Sequence, residues 1–323
     1  FLETIPNPYT TVLGDQRYAA TRINLAQSCN GIGWIFGPIA GAAFFYGKDA
    51  SGAGTGAETL WIPYAAVGVV VLILAVVFFF APVPDVKMED DYHLDDATLK
   101  TARSIWKHPH FVMAVCAQFL YVAAQAGIFS FFINYMTTQT PTVPDSWTSG
   151  MLKGWFQAGA SGSLALSDQG AAQLASLGFI FFLAGRFSGA AILKKFSAHK
   201  VLGLYGLLNV MVCLLVFCKI GWLSVGCVFL SYFFMSIMFP TIFALGIHGL
   251  GARAKQASSF IVMAIMGGAI LPKLMGHVGD LYGMSRAFIV PLVCFAFVSF
   301  YGFAWPKLSG SDSLARRGVN IGH

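Results

Sequence analysis

Long apolar runs separated by short polar breaks organise the chain. Ile23–Tyr46, Trp61–Ala81, Phe111–Met136 and Ala287–Trp305 contain no Asp, Glu, Lys or Arg. Val201–Cys218 is charge-free and slightly shorter. Three further runs hold one or two ionisable groups: Ala172–Leu193 with Arg186, Trp222–Leu250 with His248, and Ala257–Val278 with Lys273 and His277. A bilayer core of about 30 Å takes roughly 20 apolar residues as a helix. The pattern therefore predicts eight complete membrane-spanning helices. The period-two alternation of a membrane β-barrel is absent. Residues 1–13 are also apolar, but as a helix they reach only about 20 Å. They are expected to be the second half of a span that starts before residue 1.

Composition sharpens this picture. Of the 323 residues, 57% are hydrophobic and 11% charged, against roughly 25% charged in a soluble domain. A soluble enzyme, a disordered chain and a nucleic-acid-binding domain are excluded; the fold class is an all-α polytopic bundle in a lipid bilayer. The six cysteines lie in apolar runs with no CxxC pair, so they are expected to be packing residues and not disulfides or metal ligands. The net charge of +6 is not a patch. Arg17 and Arg22, then Lys87, Lys100, Arg103 and Lys107, then Lys194, Lys195 and Lys200, then Arg253 and Lys255, then Lys307, Arg316 and Arg317 fall at alternate connections. The intervening loops hold only Lys48, Lys153, Lys219 and Arg286. By the positive-inside rule the basic connections and the C-terminus are cytoplasmic. A multi-pass monomer in a bacterial inner membrane is expected.

The chain also repeats itself. Pro8 to Leu13-Gly14 aligns with Pro240 to Leu245-Gly246, and Gly33…Pro38 aligns with Gly267…Pro272. The two copies run in the same membrane direction. Six spans follow the polar stretch 82–108, and the last three of them echo the first three of the chain. Two parallel six-helix halves are the major facilitator architecture. The expected division is 1–81 as helices four to six of the first half, 82–108 as a cytoplasmic linker, 109–305 as helices seven to twelve, and 306–323 as a cytoplasmic tail. The acidic Glu89–Asp96 stretch has no calcium-loop spacing and reads as solvated linker.

Several segments carry a closer resemblance. Leu2-Glu-Thr-Ile-Pro-Asn-Pro-Tyr-Thr-Thr-Val-Leu-Gly14, Asn24-Leu-Ala-Gln-Ser-Cys-Asn30, Ala117-Gln-Phe-Leu-Tyr-Val-Ala-Ala-Gln125, Gly185-Arg-Phe-Ser-Gly189 and Phe239-Pro-Thr-Ile-Phe-Ala-Leu-Gly246 resemble the fucose–galactose–glucose:proton symporters of the major facilitator superfamily. The resemblance covers nearly the whole chain. It implies symport of a monosaccharide with protons by alternating access. It also implies that Glu3 takes part in proton coupling and sugar binding. A second acid of that family lies in helix one, which this chain lacks. The chain departs from the pattern at Met238-Phe239, where the family's fucose permease has Gln-Tyr, and at Lys273, where many members are uncharged. Sodium coupling and a non-transporting sugar receptor are the alternatives. No enzyme motif (HExxH, GxSxG, a nucleotide loop) is present, and no cofactor beyond the coupling ion is expected.

The residues themselves supply sugar-binding chemistry. A sugar needs amides and carboxylates for its hydroxyls and aromatic faces for its ring. Polar groups in apolar helices are costly unless used. Glu3 is the acid placed in an apolar span, and desolvation favours its protonated form. Asn7, Gln27 and Asn30 sit on adjoining helices. Gln118, Tyr121 and Gln125 form one stripe at i, i+3 and i+7. Each of these sets is weighed against simple interhelical bonding. Lys273 is assigned to the cavity, with snorkelling as the alternative. Phe239, Trp34 and Phe129 are candidate ring platforms, each read first as core packing. Arg186 is grouped with Lys194, Lys195 and Lys200 as a basic connection resembling the family's gate loop.

Overall fold

The computed structural model describes residues 18–44, 61–81, 105–144, 154–158, 163–250 and 253–310. All eight predicted complete spans are helical. The first two are α1 (Ala19–Phe44) and α2 (Trp61–Phe80). The third is divided into α3 (Pro109–Ser130) and α4 (Phe132–Gln139). After a hairpin come α5 (Asp168–Leu193) and α6 (Ala198–Phe217). The sixth span is α7 (Trp222–Met235) followed by α8 (Met238–Ile247). The seventh is α9 (Ala254–Met263), a 3-10 turn at Ala264–Met266 and α10 (Gly267–Tyr282). The short α11 (Met284–Ala287) leads into α12 (Ile289–Leu308). Seven stretches among the described residues are long and apolar enough to cross a membrane. The remaining span, α1, is equally long but carries Asn24, Gln27 and Ser28.

Breaks in three spans, at Phe131, Ser236–Ile237 and Ala264–Met266, were not predicted. The one at Ser236–Ile237 has a covalent cause. Pro240 lacks an N–H and its ring crowds the carbonyl four residues back, which is that of Ser236. The Gly/Ser-rich loop also contains a short hairpin. β1 (Phe156–Ala158) pairs antiparallel with β2 (Leu164–Leu166), and Val143 bridges to Leu164. Ser167 then caps α5, its hydroxyl accepting from the Gly170 N–H at 3.1 Å, with Asp168 favourably placed in the first turn.

In the bundle α1 lies against α5, α6 between α7 and α12, and α3 against α8, α10 and α12. Small residues set the tightest crossings, as expected where lipid gives no hydrophobic drive. A Cβ on Gly267 would fall 2.2 Å from the Phe119 carbonyl of α3. In α2 no residue is buried, and Phe79 is 83% exposed; an apolar helix surface of this kind suits lipid and not water.

The basic connections gather on one face. Ile23, Ile105, Phe111, Phe243, Leu250 and Ala257 pack in one cluster there. Trp305 stacks on His199 at 5.5 Å and meets His248 edge-on at 5.3 Å. At the other end the Ser285 hydroxyl donates to Gln139 Oε1 at 3.1 Å, beside the hairpin. Loop charges that alternate along the chain thus become two faces of one bundle.

Candidate functional site

The α7–α8 break builds the site. The Ser236 carbonyl, left without its helical donor, accepts from Arg186 Nε at 3.0 Å. Arg186 Nη1 donates to the Gln27 backbone carbonyl on α1 and lies 3.5 Å from Gln27 Oε1. Its guanidinium carbon is 4.9 Å from the centre of Phe182 and 5.5 Å from that of Trp34. At 2% exposure this cation is held by carbonyl dipoles and aromatic faces. Glycines permit the approach. A Cβ on Gly185 would meet the Phe233 carbonyl at 2.4 Å and Ser236 Oγ at 2.5 Å; one on Gly189 would meet Ile237 Cγ2 at 2.3 Å. The Gly185-Arg-Phe-Ser-Gly189 motif therefore lays α5 directly on the break, with its arginine reaching across to α1.

The predicted stripe on α3 faces the same break. Tyr121 is fully buried and donates to the Met235 carbonyl at 2.9 Å. Its ring meets Phe239 edge-on at 6.5 Å. One turn to either side lie Gln118 and Gln125. Among the described residues, neither amide atom of Gln118, nor Nε2 of Gln125, has a hydrogen-bond partner. Leaving such a buried group unbonded costs about 1–3 kcal/mol, so these amides suit a hydroxylated ligand or water. On α1 the Asn24 amide donates to the Ala20 carbonyl at 2.8 Å and to Thr241 Oγ1 at 3.5 Å, while its Oδ1 has no partner among the described residues. Trp34, Phe129, Phe179, Phe182 and Tyr232 form an aromatic cluster next to Arg186, with ring centres such as Trp34–Phe182 at 5.0 Å and Phe129–Tyr232 at 4.8 Å.

The structure thus brings together Gln27, Gln118, Tyr121, Gln125 and Phe239. It moves Arg186 out of the basic connection: that residue lies two turns inside α5, whereas Lys194, Lys195 and Lys200 are exposed at the helix ends on the basic face. Lys273 is not in the cluster. Gly268 and Met275 of α10 face α3, so Lys273 lies on the opposite side of the helix, exposed. His277 and Asp280 follow it at i+4 and i+7 on that same side. Glu3, Asn7 and the side chain of Asn30 lie outside the described residues. Sequence reasoning missed Ser236 and Asn24. The first was reachable by counting four residues back from Pro240; the second becomes visible only once α1 is packed on α8.

The sequence profile of the Major Facilitator Superfamily matches residues 15–272. The chain belongs to the major facilitator superfamily. Within it, the chain is 32% identical over 308 residues to the glucose/galactose transporter of Brucella abortus (strain 9-941), covering 95% of this chain and 68% of that protein. It is 30% identical over 317 residues to the L-fucose-proton symporter of Escherichia coli (strain K12), covering 92% and 67%. The crystal structure of the superfamily transporter FucP in the outward conformation superposes with a TM-score of 0.72 at 30% identity, over 94% of this chain and 72% of that one. As in other members of the superfamily, function is expected to reside where facing helices meet, which here is the α1–α5–α7/α8 junction.

Proposed function

We propose that the protein is a secondary active transporter that carries a monosaccharide of the fucose, glucose or galactose type together with protons, by alternating access. The observation that carries this reading is the buried group of unbonded amides, Gln118 and Gln125, beside Tyr121, Phe239 and the aromatic cluster. Amides for hydroxyls next to aromatic faces for a ring are what a sugar site requires. The names of the relatives agree with it.

In this reading residues 1–81 and 109–305 belong to two six-helix halves, with 82–108 as linker. The α1–α5 seam lies between the halves, and Arg186 bridges it. Glu3 takes up and releases the coupling proton. The basic face is cytoplasmic, and Lys194, Lys195 and Lys200 border the gate there. Lys273, on the side of α10 away from α3, forms a charge pair with an acid of the first half, and the bound sugar is held by the amide cluster. The protein acts as a transporter and not as an enzyme.

The test is uptake of labelled fucose, glucose and galactose by proteoliposomes, under an imposed proton gradient and separately under a sodium gradient. Accumulation driven by the proton gradient and lost in Glu3→Gln is the expected result. Accumulation only under sodium would transfer the coupling to that ion. No flux of any of the three sugars under either gradient would overturn the proposal.

A further inference from the structure

A groove lies away from the amide cluster, between α3, α9 and α12. It has a volume of about 470 Å³ and is bounded by Val115, Cys116 and Phe119 of α3, Phe260 and Met263 of α9, and Phe297 of α12. Its origin is geometric. α10 is pinned to α3 where Gly267 meets Phe119. The 3-10 turn at Ala264–Met266 joins α9 to α10, and between α3, α9 and α12 a wedge stays open. Trp106 stands at the mouth of the wedge, 50% exposed, with its ring 4.9 Å from Phe260 and 5.5 Å from Phe111. Lys107 follows Trp106 directly, and Arg253 and Lys255 begin α9 on the same face.

We propose that this wedge binds an anionic phospholipid, one acyl chain in the groove and the phosphate at Lys107 and Lys255. The depth fits. Phe119 lies about 15 Å along α3 from its start and Met263 about 14 Å along α9, close to the half-thickness of a bilayer core of about 30 Å. An apolar groove of this size holds no water, and inside a bilayer it is filled by chain. The walls do not select the lipid, because hydrocarbon is equally at ease in the bulk bilayer. Selection comes from the mouth, where basic side chains attract anionic headgroups and an interfacial Trp sits at headgroup depth. A second copy of the protein fits poorly: docking another bundle there would bring like-charged Lys107 and Lys255 clusters together.

The probe is a phosphatidylglycerol brominated on one acyl chain, titrated into phosphatidylcholine bilayers containing the full protein, with brominated phosphatidylcholine as the second arm. The signal is quenching of Trp106, taken as the wild-type fluorescence minus that of Trp106→Phe. Quenching is expected at a several-fold lower mole fraction of phosphatidylglycerol than of phosphatidylcholine. Lys107→Gln and Lys255→Gln are each expected to reduce that preference in part, and the double change to abolish it. Cys116→Phe, which fills the groove without touching the mouth, is expected to reduce quenching by both lipids. Circular dichroism and gel filtration check that each variant is folded. Equal quenching by the two lipids, or a preference that survives the double Lys→Gln change, overturns the proposal. So does disulfide cross-linking of two copies through Cys116 accompanied by loss of quenching.

Discussion

Arg186 shows how one residue type far away in sequence makes a site. Pro240 removes a donor, the Ser236 carbonyl is released, and a guanidinium takes it while also reaching Gln27. Two bonds in different directions need the rigid fork of arginine. Arg186→Lys is expected to lose one of them, at about 1.5–3 kcal/mol, seen as a lower unfolding temperature, with uptake reduced at least tenfold. Pro240→Ala separates fold from function. The restored Ala N–H would compete with Arg186 for the Ser236 carbonyl and straighten the helix. Uptake is expected to fall while the unfolding temperature holds or rises; unchanged uptake would show that the break is dispensable. At this scale the sequence was legible in chemistry and not in place. Gln118, Tyr121 and Gln125 follow from helical periodicity alone. Arg186 was misplaced because its position near the end of an apolar run resembles an anchor, and only the packing of α5 on α7 reveals it as buried.

Elements were more legible, because a helix that must cross lipid declares itself by length and apolarity. All eight complete spans were found. What periodicity could not show were interruptions within a single span, at Phe131, at Ser236–Ile237 and at Ala264–Met266, or three-residue strands in a loop of small residues. The crossings were equally hidden: a glycine in an apolar helix is common, and its partner helix is set by tertiary packing. Two outcomes test the crossings. Gly185→Ala puts a methyl 2.4 Å from the Phe233 carbonyl, and such overpacking is expected to cost about 1–3 kcal/mol, read as a lower unfolding temperature. A Cβ on Gly31 of α1 would lie 3.6 Å from the Cβ of Leu183 on α5, within the usual 3.5–4.5 Å of a disulfide. The Gly31→Cys/Leu183→Cys pair is therefore expected to close on oxidation. If the α1–α5 seam opens during transport, the oxidised protein stops carrying sugar and a reductant restores it. Full activity with the disulfide formed would mean that the seam stays shut throughout the cycle.

For the whole molecule, charge supplied what hydropathy could not. Lys and Arg at alternate connections predicted two unlike faces. The packing then joins the ends of α1, α3, α8 and α9 in one cluster, with His199, His248 and Trp305 beside it. A net charge of +6 is in this sense an orientation signal. The same separation makes orientation testable without any assay of transport. Lys195 and Lys200 are exposed on the basic face, and Asn134 is exposed near the other. In a cysteine-free background, Asn134→Cys is expected to react with a membrane-impermeant maleimide added to intact cells. Lys195→Cys is expected to react only after the membrane is opened. The reverse result would place the basic face outside, against the bias that sets the orientation of helical membrane proteins. Labelling of both positions in intact cells would instead mean mixed insertion. The charge asymmetry of roughly one basic residue per outer loop against two or more per inner one argues against that outcome.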